Sequence, residues 1–589
     1  MSDESQRAKA EAGPTEQEPR QKNIEAGPRM WPAALIVLAH LAAIAYSIQA
    51  PTLMLNLIGF ALAPIIAMVL LSIWWLRARQ VPLKERLAGL ALFAAVLGVI
   101  FISQEAYGEM LLMIAAPAIT TGVVVLLLMT SRLRWPLRRW LAVALMIGIA
   151  ALCTAARVDY VRGDILPVLA WRWSPTTEEL FADWVQTPSE HVEPLTLPSQ
   201  PRPGDWPEFR GPARDNRLAG TTFATNWDET PPREVWRRRV GLGWSSFSVI
   251  GDYIFTQEQR GPNEVIVCYR ADTGDEMWVN LVTERFDDAM GSGPRATPTF
   301  NEGRLYTLGA TGILLCLDAS TGETLWKRDL KTDTGAKMPR WGFASSPLVT
   351  GDLVIVFSGG PGGKSVAAYG RDSGDLAWTA GDGTHGYSSG HLARIAEVPQ
   401  ILMTSDIGIQ SFVPETGDVL WEHRWVISTK ANPRCVQPLV ADPLTVMIGT
   451  AGGKGTRRLR IDKVEDSWIV EEQWTTRRFR PYFNDFVYHK GYCYGFDGRR
   501  FTCIDAETGE TQWKGERYGG QVLLLPDMDL LLVLSEKGNV VLIEATPDAH
   551  NKIAQFKALS GKTWNHPVIS HGKLYVRNSK EAACFELTI

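Results

Sequence analysis

The chain lacks several features that would identify a specific chemistry. Its seven cysteines include no C-x-x-C pair, and the 589 residues contain neither an H-E-x-x-H motif nor a glycine-rich phosphate loop. The formal net charge of −4 is small, and no basic stripe occurs, which argues against nucleic acid as a partner. We therefore assign no catalytic and no metal-ligating residue from the sequence.

What the chain does contain is a repeat, Ser/Thr-Gly-acid-x-x-Trp. The tryptophans of its five copies are Trp278, Trp326, Trp378, Trp421 and Trp513. Trp474 divides the longest interval, and Trp236 and Phe556 extend the series to eight positions. Short alternating strands lie between the copies, so each repeat is a small antiparallel sheet. Because such sheets bury both faces by stacking around an axis, the sequence predicts an all-β, eight-bladed propeller.

The last predicted blade has no outer strand of its own, since no tryptophan strand follows residues 583–587. We expect Glu234–Val240 to complete it, beside Ala583–Leu587. A ring closed in this way leaves no open sheet edge between its two ends. The repeated tryptophans are expected to pack between adjacent blades as core residues.

Five apolar runs fill the first third of the chain, each about the ~20 residues that a helix needs to cross a bilayer. They are Trp31–Ile48, Leu53–Leu76, Leu87–Ser103, Met110–Thr130 and Trp140–Ala156. The tail and two of the connecting segments carry thirteen Lys and Arg residues, while the other two loops carry none. By the positive-inside rule this pattern predicts five transmembrane helices with a cytoplasmic N-terminus and an extracytoplasmic propeller.

Four regions follow from these patterns. Residues 1–30 are predicted to be a disordered cytoplasmic tail, because they lack the apolar core and cleavage site of a signal peptide. Residues 31–156 form the five-helix membrane domain, residues 157–205 a Pro-rich periplasmic linker, and residues 206–589 the propeller. The predicted location is the inner (cytoplasmic) membrane, with several crossings.

In a propeller, the residues that lead into the innermost strands face the axis. Aligning the repeats places seven candidate binding residues there: Arg295, Trp341, His385, Arg434, Asn484, Trp564 and His566. They could bind a small molecule or peptide, hold a redox cofactor, or plug a narrow wet channel by bonding to neighbouring loops. We expect an axial pocket lined by at least three of Arg295, His385, Arg434, Trp564 and His566.

The repeats, together with residues 205–215 (DWPEFRGPARD), resemble the pyrroloquinoline-quinone-like (PQQ-like) β-propeller repeat proteins. That superfamily includes quinoprotein alcohol and glucose dehydrogenases, and also the non-catalytic propeller subunit of the outer-membrane barrel-assembly machinery. Five helices followed by a propeller is also similar to the membrane-bound quinoprotein glucose dehydrogenases, which pass electrons to membrane quinone.

The resemblance implies two alternative functions. One is a non-catalytic binding or scaffold protein of the cell envelope, with the lipid bilayer and an envelope protein or small ligand as partners and no cofactor. The other is a membrane dehydrogenase that uses PQQ with calcium or magnesium, in which Glu, Asn and Asp hold the cation beneath the quinone. The chain lacks adjacent cysteines, Pro-Trp-Asn and Gly-Asp-Asn motifs, and long insertions between repeats. We therefore favour the binding protein.

Overall fold

A computed structural model describes residues 27–49, 59, 62–104, 107–163, 166–182, 194–427, 434–451 and 454–588. The predicted tail lies outside this range apart from its last four residues. The chain divides into two compact units. The first runs to Asp159 and includes Leu166–Trp173, and the second comprises Tyr160–Ile165 and Ser174–Ile589.

The first unit contains all five predicted helices. They are α1 (Trp31–Gln49), α2 (Ala63–Arg77), α3 (Leu83–Ile102), α4 (Gly108–Met129) and α5 (Trp135–Ala155). The last three are long and apolar enough to cross a membrane. The first two are apolar but shorter over their described residues. The membrane-capable helical region is thus present, and three of the five predicted spans meet the length criterion.

Polar contacts join the helices at one end of this unit. Glu85 on α3 pairs with Arg139 on α5 at 2.6 Å and accepts a hydrogen bond from Trp135 Nε1 at 2.9 Å. Arg138 donates to the carbonyl oxygen of Leu127 at 2.6 Å. These residues belong to the segments that the charge pattern assigns to the cytoplasmic side.

Residues 157–205, predicted to be a linker, include regular structure. A two-stranded sheet pairs β1 (Ala156–Val161) with β2 (Pro167–Trp171), and α6 (Thr177–Ala182) follows. Thr176 and Glu179 form a reciprocal capping box at the start of α6, with bonds of 3.1 and 2.6 Å. Within the second unit, Leu195 donates its N–H to Ser320 O at 3.1 Å. Part of the predicted linker therefore lies against the propeller.

The second unit is an eight-bladed propeller of four-stranded antiparallel sheets, as the sequence predicts. Blades 1 to 4 contain β4–β7 (Ser248–Ile250, Tyr253–Arg260, Asn263–Arg270, Glu276–Val282), β8–β11 (Thr299–Asn301, Arg304–Leu308, Ile313–Asp318, Thr324–Asp329), β12–β15 (Leu348–Thr350, Leu353–Gly360, Lys364–Gly370, Leu376–Ala380) and β16–β19 (His391–Ile395, Val398–Ser405, Gly408–Phe412, Val419–Arg424). A short helix, α7 (Leu330–Thr334), follows blade 2.

The remaining blades complete the ring. Blades 5 to 8 contain β20–β23 (Leu439–Asp442, Thr445–Thr450, Gly455–Val464, Ser467–Thr476), β24–β27 (Val487–His489, Tyr492–Asp497, Arg500–Asp505, Thr511–Arg517), β28–β31 (Gln521–Leu525, Leu530–Leu534, Asn539–Glu544, Lys552–Lys557) and β32–β34 (Val568–Ser570, Lys573–Arg577, Glu581–Glu586) with β3 (Arg233–Arg239). In blade 8, β3 pairs with β34 and Trp236 lies opposite Cys584. The predicted closure by a sequence-distant strand is confirmed.

The repeated phrase forms the joint between consecutive blades. In blade 3, Gly374 has φ +72°, and a Cβ placed on it would lie 2.7 Å from the ring of Trp326 in blade 2. The indole nitrogen of Trp326 donates to Arg371 O at 3.0 Å, in the same turn. Glycine is therefore required twice, for its positive φ and for the close approach of the ring. The same contact joins Gly274 to Trp236, Gly322 to Trp278, Gly417 to Trp378 and Gly509 to Trp474.

Blade 5 lacks the Thr-Gly turn, and the tryptophan of blade 4 accordingly bonds elsewhere. Trp421 Nε1 donates to the side-chain oxygen of Gln400, within its own blade, at 2.6 Å. The ten-residue strands β22 and β23 replace the short turn with a long hairpin. The loss of one glycine thus changes the joint without removing the blade.

Candidate functional site

A cup-shaped cavity of about 180 Å³ lies on the propeller axis, where the loops that lead into the innermost strands converge. All eight blades contribute to its lining. Its aromatic residues are Phe209, Trp244, Trp341, Tyr387, Tyr482, Phe483 and Trp564. We call this cavity the axial cup.

Below the aromatic residues, a series of hydrogen bonds joins consecutive blades from blade 1 to blade 6. The backbone N–H of one blade donates to the side-chain oxygen of the equivalent residue in the following blade. The pairs are Ser246 to Thr297 (3.1 Å), Thr297 to Ser346 (2.9 Å), Ser346 to Ser389 (2.8 Å), Ser389 to Gln437 (2.8 Å) and Gln437 to Asp485 (2.9 Å). Ser246 Oγ also donates to His566 O at 2.7 Å. We call these residues, together with Gln521 and His566 at the equivalent positions of blades 7 and 8, the polar belt.

The polar belt explains which residues reach the cup. In an extended chain the residue two positions earlier lies on the same face. The residues two positions before the belt are Trp244, Arg295, Ala344, Tyr387, Cys435, Phe483 and Trp564, and all of them line the cavity. In blade 7 this position is Gly519, which has no side chain to contribute.

The other side of the cup is closed by the DWPEFRGPARD segment. Trp206 exchanges backbone hydrogen bonds with Val249 at 2.8 Å, and Phe300 donates to Pro207 O at 2.9 Å. Arg214 donates to the carbonyl oxygens of Ser346 and Pro347, both at 3.0 Å. The segment therefore bonds to blades 1, 2 and 3 and blocks the axial channel. We call it the plug.

A buried ion pair fixes the plug to the polar belt. Arg210 Nε lies 3.1 Å from Asp485 Oδ2, and both side chains are almost fully buried. Burial raises the pKa of Asp485, and the guanidinium of Arg210 opposes that rise. The ring of His566 contacts Phe209 edge-on at 5.0 Å, and burial lowers the pKa of His566 to about 3, so this imidazole is neutral.

Two cations lie near the rim of the cup. Arg295 donates to Gly291 O at 2.6 Å and to Gly293 O, and its guanidinium lies 4.4 Å from the ring centre of Phe286. Burial lowers the pKa of Arg295 to about 10. The second cation is Lys562.

Lys562 occupies a cage of aromatic rings and carbonyl oxygens. Its ammonium lies 4.3 Å from the ring centre of Trp564 and 4.9 Å from that of Trp244. It donates to Val161 O at 2.8 Å and to Met290 O at 2.6 Å. Burial lowers the pKa of Lys562 to about 7. This residue holds the segment around Val161 beside the cup.

Of the seven predicted residues, four line the cup: Arg295, Trp341, Trp564 and His566. The expectation of at least three from the set of five is therefore met by Arg295, Trp564 and His566. Three polar atoms of the lining are buried without a hydrogen-bond partner among the described residues: Trp341 Nε1, Gln521 Oε1 and His566 Nδ1.

The other three predicted residues do not line the cup. Arg434 is fully buried and donates to the carbonyl oxygens of Ser405, Gly408 and Trp425, at 2.6, 2.9 and 2.9 Å. Asn484 donates its amide to Gly520 O, away from the cavity. His385 contacts Tyr387 edge-on at 5.1 Å and lies behind it. For Arg434 and Asn484 the interpretation as loop ties is the one that their hydrogen bonds support.

Sequence reasoning missed Tyr482, Phe483 and Lys562. Phe483 could have been found from its place two residues before Asp485, where the alignment has Trp564 in blade 8. Tyr482 and Lys562 follow no repeat position, and a lysine two residues before Trp564 gives no signal in the sequence that it turns into an aromatic cage.

The helical unit contains a larger cavity of about 470 Å³ among α2 to α5. Its charged residues, Glu85 and Arg139, are paired with each other, and the remaining lining is almost entirely apolar. Such a cleft is what hydrocarbon chains fill in a membrane, and we assign it no function.

The fold defines the protein as an eight-bladed propeller with an N-terminal helical region. Residues 262–514 match the family model described as outer membrane protein assembly factor BamB, which confirms the predicted repeat class. BamB of Yersinia pestis is 21% identical over 375 residues, covering 59% of this chain and 86% of the relative. BamB of Shewanella oneidensis is 21% identical over 330 residues, covering 52% and 75%.

Two solved structures are similar to this chain over about three fifths of its length. BamB from Moraxella catarrhalis has a TM-score of 0.46 at 16% identity, covering 60% of this chain and 99% of that one. Quinohemoprotein alcohol dehydrogenase from Comamonas testosteroni has a TM-score of 0.49 at 13% identity, covering 65% and 80%.

Proposed function

We propose that this protein is a membrane-anchored, extracytoplasmic propeller that binds a segment of an envelope protein in the axial cup and carries out no chemistry of its own. The observation that carries the proposal is that different residues of the cup have different structural roles. The polar belt uses its side-chain oxygens to join blades, the plug closes the channel, and the aromatic residues remain for contact with a partner.

The size of the cup suits a few side chains better than a whole small molecule. Its volume of about 180 Å³ is below the roughly 300–1,000 Å³ of typical small-molecule pockets. Large aromatic side chains with partly exposed faces are the residues that carry most of the affinity in protein interfaces.

The residues of the cup do not fit a quinone held over a divalent cation. Calcium and magnesium need several oxygen ligands. Among the described residues, Asp485 is the one carboxylate that lines the cup, and it is occupied by Arg210 and by the N–H of Gln437. Asn484 is directed to Gly520 O. No group of three His, Cys, Asp or Glu residues in the described part of the chain has the arrangement of a metal site.

Membrane placement is supported by the helices and by charge. Three helices have the length and apolarity of spans, and α1 and α2 continue the same apolar pattern. The thirteen basic residues of the tail and of two connecting segments favour an N-terminus in the cytoplasm. We therefore propose five crossings of the inner membrane and a periplasmic propeller.

A photo-crosslinking experiment tests the proposal in cells. A benzoylphenylalanine placed at Trp341, on the aromatic rim, should crosslink to one envelope protein, identified by mass spectrometry. The matched control is Leu325 on the outer strand of blade 2, which is 48% exposed and distant from the axis in the fold. Equal products at both positions would reject the cup as the binding site.

The enzyme alternative has its own test on the purified chain. PQQ is added with calcium or magnesium, and its absorbance and the reduction of a dye by sugars or alcohols are followed. Saturable cofactor binding with dye reduction would replace the binding-protein proposal with that of a quinone-linked dehydrogenase.

A further inference from the structure

An exposed apolar face lies just after the helices, on β2 and the turn that follows it. Leu169, Trp171 and Trp173 occupy every second position and are 41%, 46% and 72% exposed. Leu169 and Trp171 share one face of β2, because the side chains of a strand alternate. The rings of Trp171 and Trp173 stack with centroids 5.1 Å apart and an interplanar angle of 4°. Two large indoles are thus held together on the surface.

Arg172, between the two tryptophans, fixes this face to the ends of two helices. Its N–H donates to Ala155 O at 3.0 Å, and its Nε donates to Thr154 O at 2.7 Å, both at the end of α5. Its Nη2 donates to Ser103 O, directly after α3. A cation that binds the free carbonyl groups of helix C-termini is favourable in charge and geometry. The tryptophan pair is therefore held where α3 and α5 end.

As whole helices, α3 and α5 are about as long as the hydrocarbon core is thick, but the apolar parts that follow their basic first turns are shorter than the core. After Arg139, the apolar part of α5 runs from Trp140 to Ala155, which is about 24 Å at 1.5 Å per residue. The part of α3 that follows Arg86 has about the same length. The hydrocarbon core is about 30 Å thick. If the basic ends lie at the inner surface, the apolar region must continue by several ångströms beyond Ala155, at the level of β2.

The geometry points to an interfacial anchor: Leu169, Trp171 and Trp173 insert into the boundary between headgroups and acyl chains of the outer leaflet. Tryptophan prefers this boundary because its ring is apolar while its N–H can meet water or lipid oxygens. The exposed apolar surface also continues onto α3, where Ile102 is 81% exposed. A lipid surface would contact an apolar face that runs without interruption from β2 to α3 and that lies at the level where the helices end. The inference rests on the proposed membrane placement.

Depth-dependent quenching in the full-length protein tests the anchor. A fluorescent amino acid is incorporated at position 173, and the protein is placed in phospholipid nanodiscs that carry nitroxides on the headgroup or at the middle of the acyl chain. Val125, 42% exposed on α4, serves as the membrane reference, and Leu281, 60% exposed on β7, as the water reference. A water-soluble quencher is measured in parallel.

The anchor predicts that the label at 173 is quenched severalfold more by headgroup nitroxides than the label at 281, and that the water-soluble quencher reaches it less. The label at 125 should respond most to the mid-chain nitroxide. If position 125 responds to lipid while 173 behaves like 281, the anchor is wrong and the membrane placement stands. If neither 125 nor 173 responds to lipid, the membrane placement itself is wrong.

Discussion

At the scale of single residues, the structure depends on contacts that combine an unusual backbone angle with a close approach. Gly374 and Trp326 show this best, because the glycine has φ +72° and the indole ring lies where a Cβ would be. Trp326 is 8% exposed and fills the space between blades 2 and 3. A glycine with positive φ and a buried tryptophan are each common features. Their combination at one contact specifies how one blade packs against the next.

Comparing Gly374→Ala with Gly303→Ala separates the cost of the positive φ from the cost of the close approach of the Trp326 ring. Both glycines have nearly the same φ, +72° and +75°, but a Cβ at 303 has open space around it. Gly303→Ala should cost about 1 kcal/mol or somewhat more from backbone strain. Gly374→Ala should cost about 1–3 kcal/mol in addition, from the overpacked ring. Denaturant unfolding of the two variants measures the difference, and equal losses would contradict the joint described here.

A second residue-scale prediction concerns Glu264, which is 3% exposed and accepts a hydrogen bond from the N–H of Ala310 at 2.9 Å. Burial raises the pKa of Glu264 to about 7, from a usual value of 4.5. The folded state therefore keeps a proton that the unfolded chain releases between about pH 4.5 and 7. The stability due to this proton is complete below pH 4.5 and is lost as the pH rises through 7.

The Glu264→Gln variant cannot titrate and can still accept the bond from Ala310. The free energy of unfolding of the wild type should therefore fall relative to that of the variant between pH 4.5 and 7, by up to about 3 kcal/mol. Urea unfolding at several pH values checks this, and parallel curves for the two proteins would show that the carboxyl group is ionised in the fold.

At the scale of elements, the ring is held closed by a single strand. β3 comes before every other strand of the propeller and pairs with β34, which comes after them all. The register places Trp236 opposite Cys584, and the Trp236 ring also packs on Gly274 of blade 1. One residue thus joins the last blade to the first.

Trp236→Ala should therefore loosen two segments that are far apart in sequence. Hydrogen exchange is expected to increase in β34 and in the turn around Gly274, while β17 in blade 4 keeps its protection. The side chain is 8% exposed, so a stability loss of about 3–5 kcal/mol is expected as well. A uniform increase in exchange across all blades would mean that closure is not local to this joint.

Much of the element pattern could be predicted from the sequence, because it depends on periodicity. The spacing of the tryptophans fixed the number of blades, and the strand without a partner indicated the closure. The direction of a loop side chain depends instead on the local turn. Arg295 lies two residues before the polar belt and faces the cup, whereas Arg434 lies three residues before it, faces the opposite way and donates to carbonyl oxygens of blade 4. The resemblance of the plug to segments of PQQ-like proteins could be seen in its sequence. Its residue types alone do not indicate that it would block the channel.

At the scale of the whole molecule, the chain combines an apolar helical region with a polar propeller, which an average over all residues conceals. The helices are described from Trp31 and the propeller ends with β34. The proposed function requires that these two regions lie in different surroundings, one in the bilayer and one in water. The distribution of basic residues among the loops predicts the orientation of the helices, and this prediction can be tested.

Reporter fusions check the orientation of the helices. A fusion at Gln80, between α2 and α3, should show cytoplasmic activity, because basic residues flank it on both sides. A fusion at Tyr107, before α4, should show external activity. The same cells can carry both an alkaline phosphatase and a green fluorescent protein version of each fusion. Signals on the opposite sides would reverse the proposed topology and place the propeller in the cytoplasm.

The late closure of the ring also has a consequence in time. Roughly 340 residues separate the end of β3 from the start of β34. At about 5–20 residues per second, a ribosome needs about 20–70 s to make them. Throughout that interval the newly made β3 has a free hydrogen-bonding edge, which is a template for pairing with a wrong chain. During its synthesis each molecule is therefore exposed to wrong pairing at β3, until its last strand, β34, is made and covers that edge.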